Sequence, residues 1–143
     1  MSIQTLVGRN GPEVVTIHAA ETVKNAADRM RAHGVTVLVV KSGDAIIGLL
    51  SERDIVHAIA RHGEGAVAMA ALGVMSHAIV TVAPGDSIKH AMSLMVHHRM
   101  RDLPVIANGK LVGIVGIGDV AKHRMEDLVT ESNVLRDAYI AAH

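Results

Sequence analysis

Ser51, Glu52, Arg53 and Asp54 directly follow the apolar run Gly48-Leu49-Leu50, so a hydroxyl, two carboxylates and a guanidinium stand together at the end of a strand-like segment. Three chemistries are open to them. As a helix cap, the Ser51 hydroxyl receives the first free amide and Asp54, three residues on, reaches back, for about 1 kcal/mol of helix stability. As an anion cradle, helix-start amides, the Ser51 hydroxyl and Arg53 suit a phosphate, while a carboxylate accepts both hydroxyls of a ribose. A hydrolase on Ser51, Asp54 and His57 is disfavoured, because the G-x-S-x-G elbow is missing and the three residues share one helix face.

A second segment, Gly113-Ile114-Val115-Gly116-Ile117-Gly118-Asp119, keeps the glycine and the aspartate but has neither hydroxyl nor arginine. Asp119 without a serine at position 116 implies a task other than capping. Gly116 and Gly118 would let bare backbone amides approach a phosphate. The run His97-His98-Arg99-Met100-Arg101 offers either charge to a phosphate within the cleft or a solvated helix end whose positive charge is favourable against the dipole. Ten histidines raise a metal site. No H-E-x-x-H occurs, and adjacent His97 and His98 diverge on a helix, so none is expected.

The elements that position these residues come in two copies. An offset of 65 residues lays Val15-Thr16-Ile17 on Val80-Thr81-Val82, Lys24 on Lys89, Met30 on Met95, Leu38 on Leu103, Gly48 on Gly113 and Asp54 on Asp119. Such self-similarity marks an internal duplication. Each copy predicts a short strand (Val14 to Ile17; Ile79 to Val82) and a helix capped by Thr22 or Ser87. A hairpin then turns at Ser42-Gly43-Asp44 or Asn108-Gly109, and a second helix follows. The boundaries read as a lead-in over 1–13, repeats over 14–63 and 79–125, a connector over 64–78, and a helical extension over 126–143. The lead-in ends in the turn-rich Gly8-Arg9-Asn10-Gly11-Pro12. One β-α-β-β-α unit buries little apolar area, so the two should pack through their sheets about a pseudo-twofold axis, giving an α+β fold.

Composition narrows the partners. Fourteen basic and fourteen acidic residues cancel, and Tyr139 is the only aromatic residue apart from histidine, which argues against nucleic acid and anionic membranes. With no cysteine and no signal-peptide pattern at the N-terminus, the expected location is the cytoplasm. The 21 residues from Gly65 to Gly85 carry no Asp, Glu, Lys or Arg. They are rich in Ala and Gly and end at Pro84-Gly85, so a membrane span is rejected.

The order strand, helix, "GVTVLVV" or "RMRDLPVI", then G-apolar-apolar-Ser-x-x-Asp resembles the CBS domain, named after cystathionine β-synthase, here over residues 14 to 125. The resemblance implies a non-enzymatic regulatory module that binds an adenosine nucleotide such as AMP, ATP or NAD(H), with no required cofactor. It implies Asp54 and Asp119 on ribose and Ser51 near phosphate, Gly116 being a departure. It also implies an adenine pocket from Val14 to Ile17, Thr16 included, with Thr36. Its counterpart runs from Ile79 to Val82, Thr81 included, with Met100 and Arg101. The alternative is a ligand-independent dimerisation or interaction module.

Ala121, Met125, Leu128, Ser132, Leu135, Tyr139 and Ala142 recur at alternating four- and three-residue steps, the period of a coiled-coil seam. That helix either lies on its own domain or joins a homodimer. An unknown protein target would take the output.

Overall fold

The computed structural model describes residues 2–7, 14–77 and 79–142, and the expected turn at Gly8 to Pro12 lies outside them. The chain runs α1 (Ile3–Val7), β1 (Thr16–His18), α2 (Val23–His33), β2 (Val37–Ser42), β3 (Ala45–Ser51) and α3 (Glu52–His62). Two 3-10 turns (Gly63–Ala68, Ala71–Gly73) lead to α4 (Ile88–His98), β4 (Asp102–Ala107), β5 (Lys110–Gly116) and α5 (Ile117–Ala142). Among the described residues no helix is long and apolar enough to cross a membrane.

The copies match in detail. Thr22 and Ser87 cap α2 and α4 by accepting the amides of Asn25 and His90 at 3.1 and 3.0 Å. Both hairpins are antiparallel, with register shifts at the equivalent steps Val40/Lys41 and Val105/Ile106. Asn108 and Gly109 both take positive φ, 52° and 75°, as a tight hairpin turn requires. Where α2 ends at Gly34 with φ 65°, α4 ends at Arg99 with φ 54°. An arginine therefore holds a left-handed position that costs it about 1 kcal/mol.

The opening strands differ. β1 pairs with β2 in parallel over three residues, whereas Ile79 to Val82, expected as a strand, makes among the described residues only the bridge Val82↔Val105. The reason lies in the partner strand. Val39 donates its amide to the Val15 carbonyl at 3.0 Å, and its counterpart in β4 is Pro104, which has no N–H to give Val80.

Strand alternation sorts the buried residues to two faces. Leu38, Val40 and Leu50 join Ile17, Ala26 and Met30 under the helices of the first repeat. Leu103, Val105 and Val115 join Ile88, Ala91 and Met95 in the second. The opposite face brings Val37, Val39 and Leu49 against Ile114, flanked by Val14, Met100 and Leu111, so the repeats pack sheet to sheet. Ala71 and Met75, from the expected connector, complete the first core, and Ile3 of α1 completes the second. Each repeat is thus closed by the segment preceding the other. Arg29 fastens α2 to β1 through the Thr16 carbonyl and grips Glu21 with two hydrogen bonds, at 2.7 and 2.9 Å. That grip holds the Glu21 carboxyl below its usual pKa.

Helix α5 departs from this compactness. Only Val120 and His123 in its first turns are buried, while Met125, Leu128, Val129, Leu135, Tyr139 and Ile140 are exposed. Of the two expectations for this helix, packing along its own domain does not hold in the single chain.

Candidate functional site

Strand β3 hands over to α3 at Ser51, and the local sequence dictates how. Ser51 Oγ accepts the Asp54 amide at 3.2 Å, and an Asp54 carboxylate oxygen, Oδ2, accepts the Ser51 amide at 2.9 Å. The capping box is complete. The Glu52 amide is taken by the Thr36 carbonyl at 3.0 Å, which ties this corner to the start of β2. The Ser51 hydroxyl keeps its proton to donate, and Asp54 keeps its second carboxylate oxygen, Oδ1.

The equivalent corner of the second repeat is built with fewer parts. An Asp119 carboxylate oxygen, Oδ2, accepts the Gly116 amide at 3.2 Å, and the Ile117 amide is taken by the Arg101 carbonyl at 2.7 Å. Asp119 was expected to need another task once the serine was missing. The structure corrects this, because the acid performs its half of the box on a backbone amide and needs no hydroxyl partner.

A cleft of about 500 Å³ opens between the repeats. Thr36, Ser51, Arg53 and Asp54 line it from the first repeat and Arg99, Met100 and Arg101 from the second, bringing together seven residues singled out in the sequence. Val14 lies instead in the core between the repeats, and Thr16 and Thr81 are exposed on the opening segments. Gly116 and Asp119 are not among the cleft-lining residues; they stand beside Asp102, and Asp119 is exposed. Val37, Leu49, Glu52, His57, Ser76 and Asp102 line the cleft too and were not assigned to it from the sequence. For Asp102 the signal was present: the offset of 65 places it on Val37.

The cleft is rich in charge. Arg53 and Arg99 form no ion pair among the described residues, and Arg101 stands close enough to Asp102 to favour its ionised form. Burial nevertheless pushes the Asp102 carboxyl up, and the Asp119 charge pushes it further, against the opposing pull of Arg101. The guanidiniums of Arg53 and Arg99, beside a Ser51 hydroxyl that can still donate and apolar Val37, Leu49 and Met100, suit a flat, apolar group bearing an anion. The His97 and His98 rings meet edge to face at 4.8 Å. Among the described residues no group of three His, Asp or Glu is placed to hold a metal ion.

A family model described as CBS domain matches residues 11–61 and again residues 70–126. The chain belongs to the CBS-domain family. CBS domains are regulatory modules, and this CBS pair has relatives of similar build. It is 34% identical over 118 residues to the CBS domain-containing protein YhcV of Bacillus subtilis, covering 80% of this chain and 81% of that one. An uncharacterized protein of Methanopyrus kandleri is 36% identical over 110 residues, 76% of this chain, which spans only 56% of that relative. The crystal structure of a CBS-domain containing protein from Agrobacterium tumefaciens superposes with a TM-score of 0.81 at 32% identity, covering 86% of this CBS pair and 92% of that chain.

Proposed function

We propose that the cleft binds an adenosine nucleotide, AMP, ATP or NAD(H), non-covalently, and that occupancy biases the geometry of the two repeats or of a homodimer for readout by a protein target. The observation that carries this is the convergence of Ser51, Arg53 and Asp54 with Arg99 and Arg101 around one cleft. In it the Ser51 hydroxyl and the guanidiniums meet phosphate, Oδ1 of Asp54 accepts the ribose hydroxyls, and Thr36, Val37 and Met100 flank the base. Family membership supports the regulatory class, and the cleft supports the ligand class.

The Ser51 hydroxyl already serves the Asp54 amide, so the constellation favours binding over nucleophilic attack. Ligand binding at micromolar affinity supplies about 8 kcal/mol, ample to shift a conformational equilibrium if the conformers differ in affinity. Thermal-shift titration with AMP, ADP, ATP, NAD and NADH tests the reading. At least one nucleotide should raise the melting temperature, and Arg53→Ala should reduce that rise; no shift with any of the five contradicts it.

A further inference from the structure

We propose that Asp102 confines phosphate to the Ser51 end of the cleft, so that the chain takes one nucleotide instead of two. This rests on the nucleotide reading above and adds an orientation to it. The two ends are related by the internal repeat, and the strand registers show what has been exchanged. Val37 lies opposite Ser51 in the first hairpin, and Asp102 lies opposite Gly116 in the second. A hydroxyl has been lost, and on the facing residue a carboxylate has been gained.

The carboxylate borders the vacated space. A Cβ on Gly116 would stand 3.2 Å from Asp102 Oδ1 and 3.4 Å from an Asp119 carboxylate oxygen. Where the first end presents a hydroxyl that can donate, the second presents two acceptor oxygens. The backbone amides do not distinguish the ends: Asp119 holds the Gly116 amide and the Arg101 carbonyl the next, as Asp54 and the Thr36 carbonyl do at Ser51. A phosphate here meets the Asp102 carboxylate where the first repeat has Val37, and lacks the hydroxyl donor that Ser51 supplies. Arg101 offsets part of the negative charge of Asp102 and Asp119 but does not replace the lost hydroxyl donor.

Exchanging the pair back gives the test. Isothermal titration calorimetry with AMP and with ATP near neutral pH is read for stoichiometry in wild type, in Asp102→Asn, and in the double variant Asp102→Val with Gly116→Ser. Wild type should bind one nucleotide per chain and the double variant two. Asp102→Asn, which keeps the side-chain volume, should show a second event about tenfold or more weaker than the first, and it serves if the double variant does not fold. Two sites in wild type, or one site in the folded variants, overturns the proposal. Absence of binding in wild type overturns the nucleotide reading itself.

Discussion

Asp102 faces Gly116 across the β4–β5 ladder, with its Oδ1 3.2 Å from where a Cβ on that glycine would lie. Its neighbours set the sign of a pH effect. An acid whose pKa in the fold lies above its ordinary value is penalised by the fold once ionised. The penalty is full above the raised pKa and vanishes below the ordinary carboxylate value of about 4, where folded and unfolded states are both protonated. Burial is the first cause of the rise and Asp119 the second. Asp102→Asn should therefore melt higher than wild type at neutral pH, with the gap closing as pH falls through that window. A lower melting temperature at neutral pH would contradict the assignment.

Arg99 carries backbone strain at the rim of the cleft, at the position Gly34 fills in the first repeat. Arg99→Gly should stabilise the fold by about 1 kcal/mol in chemical denaturation, by removing the left-handed penalty. The same change should weaken nucleotide binding through loss of the guanidinium. Stabilisation without any loss of affinity would show that Arg99 does not meet the ligand.

Gly48 and Gly113 are equivalent and each lies under a crossing segment, but the segments differ. A Cβ on Gly48 would come within 2.6 Å of both the Ser76 carbonyl oxygen and Met75 Sδ. One on Gly113 would come within 2.9 Å of a Val7 methyl. Backbone cannot yield as a side chain can, and Ser76 is pinned by paired hydrogen bonds to Leu49 at 2.8 and 3.2 Å. Gly48→Ala should cost about 1–3 kcal/mol by urea denaturation, and Gly113→Ala less. Equal costs would mean that the two crossings are equally rigid.

These particulars mark where sequence reasoning reached its end. The duplication, the hairpin turns and the caps at Thr22, Ser51 and Ser87 follow from residue type and spacing, whereas the meeting of the Arg99 to Arg101 segment with Ser51, Arg53 and Asp54 follows from the packing of the repeats. The truncated pairing at Val82 turns on the strand register, which makes Val39 the donor to Val15 and so gives the proline at its repeat counterpart, Pro104, its effect. Asp119 completes half a cap because a backbone amide is enough, which comparison of side chains alone does not reveal. The offset lays Asp102 on Val37, but that it faces Gly116 follows only from the cross-strand pairing.

The apolar stripe of α5 supports dimerisation as part of the proposed function. Leu128, Leu135 and Tyr139 follow the seam period and are 48%, 71% and 64% exposed, more than a lone helix gains by showing to water. Sedimentation velocity should give a dimer for wild type and a shift toward monomer for Leu135→Asp, with the helical content of the repeats retained. A monomeric wild type would remove the dimer from the account.

The central claim is that the Ser51 end of the cleft holds the phosphate of an adenosine nucleotide, and calorimetric titration of wild type with AMP and with adenosine tests it most directly. AMP should bind at least about tenfold more tightly than adenosine, a difference of about 1.4 kcal/mol, and Arg53→Ala should narrow that difference. Equal affinity for AMP and adenosine, or no binding of either, would contradict it.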